Sequence, residues 1–212
     1  MCKISRIFWA DMNTVFTRMY EAPPLSRTEI LRYAGARQGD PLQEALLEEC
    51  LAALGDRLSF RVCYSEFQVA VSGDVVDLGF AKVTSAALAK CLGGVTRAVV
   101  FAATVGPQID RLITRYSAIS PAKALLLDAI GTERVEALCD AFCRELKEEA
   151  AARGCFTRPR FSPGYGDLPL AVQKEIFGAL DCARKIGVSL SEGLLMTPTK
   201  SVTAIVGIGK NI

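Results

Sequence analysis

The chain has 212 residues, half of them hydrophobic and 23% charged, with 25 basic and 23 acidic side chains and a formal net charge of +2. This is enough for one packed domain and excludes a disordered chain, and the longest uncharged run, 98–109, is far short of the ~20 residues a membrane-spanning helix needs. The charges are interspersed, so the basic block that drives phosphate-backbone binding is missing and nucleic acid is not an expected partner.

Residues 1–24 read as an N-terminal extension. Ile7, Phe8, Trp9, Val15, Phe16 and Tyr20 suggest an amphipathic helix, which Pro23-Pro24 would end. Lys3, Arg6, Asp11 and Arg18 interrupt any apolar leader, so the expected location is cytoplasmic. The main domain is predicted over 25–212. It opens with a short helix that Ser26 caps and Glu29 completes as a capping box. A second helix runs from Pro41 to Gly55, with Leu42, Leu46, Leu47, Cys50, Leu51 and Leu54 on its apolar face.

Alternating apolar residues over 60–80, with a turn at Ser72-Gly73-Asp74, predict a β-meander. A short helix over 85–91 follows, then a buried strand over 97–105 and a helix over 109–116. Ser120-Pro121 starts the longest helix, to about Arg153, with Leu126, Ile130, Leu138 and Phe142 in its apolar stripe. Gly131 either kinks that helix or lets a neighbour approach closely. Glu136, Asp140 and Arg144 share another of its faces. Residues 158–169 form a Pro- and Gly-rich loop, 172–186 a helix closed by Gly187, and 201–208 a last strand. The fold class is α+β, with helices packed around a twisted, mainly antiparallel β-sheet.

The chain contains no His, which removes Ser-His-Asp and Cys-His nucleophile systems, His-ligated metals and a His general base. Any chemistry then rests on a bound cofactor or substrate. The eight cysteines are scattered without a CxxC pair and read as reduced, mostly buried thiols. Gly207-Ile208-Gly209 lacks the strand–loop–helix setting of a dinucleotide fingerprint.

The loop Arg160-Phe161-Ser162-Pro163-Gly164-Tyr165 concentrates chemistry in six residues. A guanidinium can clamp a carboxylate with two parallel hydrogen bonds, a glycine lets backbone approach a ligand, and a tyrosine offers a flat face. On residue types alone, a tight turn with a surface Arg stays open as an alternative, as does a solvated Glu136/Asp140 face paired with Arg144.

This loop resembles the RxxxGY signature of the activation domain of cobalamin-dependent methionine synthase. The helix ending at Gly187, then Leu190-Ser191-Glu192, Met196, Pro198, Ser201 and Val202, is similar to the family's segment after the signature. The resemblance covers about residues 120–209, and residues 25–119 look like the small stand-alone relatives of that domain. It implies S-adenosylmethionine binding and reductive methylation of a corrinoid. Cobalamin would be supplied by a partner methionine synthase module or corrinoid protein, and the electron by a flavodoxin-like or other donor. Arg160 would hold the methionine carboxylate, and the backbone of Ser162, Pro163 and Gly164 and the ring of Tyr165 would line the ligand. Glu136 matches an acidic position near the ligand's amino group. Two other readings remain open at this point: an adaptor that docks on and protects a corrinoid protein without binding a ligand, and a repurposed domain that binds another small molecule, with the cysteines in redox sensing. The chain has no aromatic residue after Phe177.

Overall fold

A computed structural model describes residues 12–36 and 39–210. Its centre is a five-stranded antiparallel sheet. The strands are β1 (Phe16–Tyr20), β2 (Phe60–Gln68), β6 (Arg97–Thr104), β7 (Cys155–Thr157) and β10 (Ser201–Lys210), in the spatial order β1-β2-β6-β10-β7. The long pairings run from Arg61 opposite Thr104 to Gln68 opposite Arg97, and from Ser201 opposite Thr104 to Ile208 opposite Arg97.

Strand side chains alternate between two faces, and here both faces are covered. On one side Val62, Tyr64, Val99, Phe101, Ala103, Ala204 and Val206 pack under the helices α1 (Arg27–Tyr33), α2 (Pro41–Leu54), α4 (Gln108–Ser117) and α5 (Pro121–Ala151). On the other, Cys63, Phe67, Ala98, Val100, Ala102 and Ile205 pack under α3 (Ala86–Cys91), α6 (Gln173–Leu180) and α7 (Cys182–Ile186). The same layer holds a small sheet of β3 (Ala70–Ser72), β4 (Val75–Asp77) and β5 (Lys82–Thr84). Two covered faces explain why β6 is apolar without a break from Ala98 to Ala103. A two-stranded hairpin of β8 (Ser189–Leu190) and β9 (Met196–Thr197) precedes β10. The α+β architecture follows the expectation.

Several local expectations are corrected. Residues 16–20 are the edge strand of the central sheet and not part of an amphipathic helix; Ile7, Phe8 and Trp9 lie outside the described residues. The period-two pattern wins because Phe16 stacks on Tyr64 at 5.7 Å between centroids and the Tyr20 hydroxyl donates to Glu145 at 2.7 Å. Phe60–Gln68 is one continuous strand, and the meander is confined to 70–84. Leu42 is 82% exposed, outside the apolar face assigned to it; the buried positions of α2 are Leu47, Cys50 and Leu54. The helix expected over 172–186 breaks at Asp181, whose φ is +50°. Gly187 closes α7 at φ +73°, as expected for a C-cap.

Gly131 does not kink α5. A Cβ there would lie 2.8 Å from Lys200 Cγ and 3.0 Å from Ile109 Cγ1, so the glycine seats α4 and the start of β10 against the helix. Gly207 and Gly209 lie inside β10, with Gly207 opposite Ala98 and packed under Leu92 and Val95.

Candidate functional site

The middle of α5 carries two kinds of charge. Glu133 and Arg134 are both about 5% exposed and pair side by side, Arg134 Nε to Glu133 Oε2 at 2.5 Å and Nη2 to Oε1 at 2.7 Å. Each also reaches the segment leading into α1. Arg134 donates to the carbonyls of Pro23 at 2.6 Å and Pro24 at 2.8 Å, and Glu133 accepts the Ser26 N–H at 2.9 Å. Proline carries no N–H but keeps its carbonyl, so a Pro-Pro strap is bound naturally by an all-donor guanidinium. Ser26 caps α1 by accepting from the Glu29 N–H. Glu29 does not complete the capping box. It binds Arg32, and Glu133 takes its place on the Ser26 N–H.

One turn further along α5, Glu136 and Asp140 face the loop after β7. Arg160 Nη2 lies 2.5 Å from Glu136 Oε2 and 3.3 Å from Asp140 Oδ1. The Glu136/Asp140 face is therefore matched to Arg160, not to Arg144 as a simple solvated helix face would have it. Arg160 Nη1 is buried and has no hydrogen-bond partner. Burial works against the guanidinium charge, but Cys139, Glu136 and Asp140 together outweigh it and raise its pKa above the ordinary arginine value.

These groups line an open cleft of about 410 Å³ between the Pro23-Pro24 strap, the exposed side of α1 and α5. It is bounded by Ser26, Glu29, Tyr33, Glu133, Glu136, Ala137, Asp140, Arg144 and Arg160. Four carboxylates and two guanidinium groups line it; Glu29 is already paired with Arg32 and Glu133 with Arg134, which leaves Glu136 and Asp140 facing Arg160. On its other side Arg160 also borders a second cleft, of about 460 Å³, with Cys143, Arg144, Lys147 and Arg158.

Of the residues singled out from sequence, Arg160 and Glu136 are brought together. Ser162, Pro163, Gly164 and Tyr165 form an adjoining turn that lines neither of these two clefts. Gly164 has φ +85° and donates to the Leu168 carbonyl at 2.9 Å; Tyr165 donates its N–H to Ser162 O at 3.1 Å. The Tyr165 ring is 70% exposed and packs edge-on against Phe161 at 5.4 Å. Phe161 ties the loop to the sheet by exchanging backbone hydrogen bonds with Ile205. Asp167 anchors the far end by accepting from Ser85 Oγ and from the Ala86 and Ala87 N–H groups, which lowers its pKa.

Glu133, Arg134, Tyr33 and the two prolines were not foreseen. An adjacent Glu-Arg pair inside an apolar helical stripe was the one available signal, since buried charges occur in pairs. Among the described cysteines five are buried, and burial raises the thiol pKa of Cys50, Cys91, Cys139 and Cys143. A raised pKa keeps these four thiols in the less reactive neutral form. Among the described residues no cluster suits a metal ion and no helix is long and apolar enough to cross a membrane.

Comparison with known proteins identifies the family and the fold. The family model described as vitamin B12 dependent methionine synthase, activation domain, matches residues 93–211. Among solved structures, one described as the MetH reactivation domain bound to AdoHcy superposes with a TM-score of 0.71 at 15% identity, covering 93% of this chain and 79% of that one. No curated protein matches the chain. The likeness to the solved structure establishes the fold, and the family model spans more than half of the sequence, including α5, the Arg160 loop and β10. The chain belongs to the family of vitamin B12-dependent methionine synthase activation domains.

Proposed function

We propose that this chain binds S-adenosylmethionine at the Arg160–Glu136 cleft and supports reductive methylation of a corrinoid carried by a partner methionine synthase module or corrinoid protein. The observation that carries the reading is the buried, unpartnered Nη1 of Arg160 beside two carboxylates on one face of α5. A free guanidinium N–H next to Glu136 and Asp140 is the complement of an α-amino acid, which presents a carboxylate and an ammonium on one carbon. The solved neighbour of the same fold is described as bound to AdoHcy, which supports this ligand class.

In this role Arg160 holds the ligand carboxylate, and Glu136 and Asp140 hold its ammonium. The turn over Ser162, Pro163, Gly164 and Tyr165 stands beside the cleft, with Tyr165 facing outward where a partner docks. The bound ligand supplies an already activated methyl group for displacement to a reduced corrinoid cobalt. That step needs positioning more than proton transfer, in keeping with a chain that has no His. The corrinoid arrives on the partner, and the electron comes from a flavodoxin-like or other donor.

Calorimetric titration of S-adenosylmethionine into the wild type, Arg160→Ala and Arg160→Lys tests the reading. Measurable wild-type binding that vanishes in Arg160→Ala and falls in Arg160→Lys is expected, because lysine cannot reproduce the planar fork. Absence of binding to the wild type at millimolar ligand would overturn it in favour of a docking adaptor.

A further inference from the structure

We propose that Tyr33 is the stacking platform for the nucleobase of the ligand, so that the Arg160 cleft takes a purine nucleoside at its α1 end. The proposal rests on the S-adenosylmethionine reading above. The ring of Tyr165 was the aromatic surface expected from sequence, yet it lies outside the cleft and packs edge-on against Phe161. The sequence offers no aromatic beyond Phe177. Among the described residues lining the cleft, Tyr33 is the sole aromatic, and its 37% exposure contrasts with Phe101 and Phe142, which are fully buried in the same helix-covered layer.

The ring is also held in place. The Arg32 guanidinium carbon lies 4.3 Å from the Tyr33 centroid, and Arg32 is fixed in turn by Glu29 through Nε at 2.9 Å and Nη2 at 2.6 Å. A cation over an aromatic ring is attractive and restrains it, so less ordering remains to be done when a ligand binds. The position of the whole of α1 is set by the Glu133 acceptor on Ser26 and by the Arg134 clamp on the prolines. The same α5 segment that carries Glu136 therefore also fixes Tyr33. One helix thus positions both the polar groups that recognise an amino acid and the aromatic ring of Tyr33. The cleft, at about 410 Å³, falls within the ~300–1,000 Å³ typical of small-molecule sites. An amino acid joined to a purine nucleoside has this two-ended chemistry.

The test is calorimetry with two probes, S-adenosylhomocysteine and 5′-methylthioadenosine, the second lacking the amino acid carboxylate and ammonium. Tyr33→Ala should weaken both by about 5- to 150-fold, the range for removing an aromatic from a stacked base. Tyr33→Phe should bind as the wild type does, and unchanged thermal melting of both variants excludes a folding defect. Arg160→Ala should weaken S-adenosylhomocysteine alone. Full affinity for both probes in Tyr33→Ala, with S-adenosylhomocysteine binding lost in Arg160→Ala, would overturn the platform and leave the parent reading standing. No binding of S-adenosylhomocysteine by the wild type at millimolar concentration would overturn both.

Discussion

Arg160 and Glu136 meet across 24 residues of sequence, with Nη2 2.5 Å from Oε2, and the contact joins the loop after β7 to the middle of α5. The two side chains are 27% and 36% exposed, so the pair contributes little to stability and is readily re-formed around a ligand. Glu136→Gln keeps the shape and removes the charge. We expect it to fold normally and to weaken S-adenosylmethionine by about 10- to 150-fold, the worth of a hydrogen bond to a charged group. Titration beside a thermal melt checks both.

Glu133 and Arg134 behave in the opposite way, because both are buried. Arg134→Met leaves the Glu133 carboxylate unpaired and should cost about 3–5 kcal/mol, read from denaturant unfolding. Glu133→Leu combined with Arg134→Met removes both charges and should cost clearly less than the single change. Both variants free the carbonyls of Pro23 and Pro24, and both should show faster limited proteolysis between β1 and α1.

Gly207→Ala tests close packing in β10. The added methyl would sit 2.7 Å from Leu92 Cδ2, 3.1 Å from Val95 Cγ2 and 3.2 Å from Arg158 Cγ. Overpacking of this kind costs about 1–3 kcal/mol. The expected result is a lower unfolding midpoint with unchanged denaturant sensitivity, since the change is local to one strand.

The Cys143 and Cys91 thiols should be sluggish toward alkylation in the native state. Burial pushes Cys143 up to about 11, with Arg160 only partly countering it, and raises Cys91 as well. A folded-state pKa above the unfolded one means that the neutral thiol favours the fold. This stabilisation is complete below about pH 9 and is lost as pH rises towards 11. Melting temperature should fall across that window, and Cys143→Ala should make the fall shallower. Rapid native labelling of Cys143 at pH 7.5 would contradict the burial argument.

The sequence alone determined the elements whose signals are local. Ser26 caps a helix, Gly187 ends one, and the apolar stripe from Leu126 to Leu146 reads directly as α5. It also pointed to Arg160 and Glu136, through residue chemistry and through the family signature. Tertiary structure decided the rest, because the deciding energies lie between residues distant in the chain. Residues 16–20 carry apolar positions that suit a helix as well as a strand, and only a free edge on β2 with Tyr64 and Glu145 in reach makes them β1. Asp181 breaks a helix that periodicity runs through unbroken. The cleft itself is invisible locally. Its strap is positioned by Arg134, 110 residues from Pro24, and Tyr33 reaches it on a helix docked on α5. Local propensity fixes which segments coil or extend, whereas a ligand site requires side chains from separate segments to converge, and burial against a shared core does that.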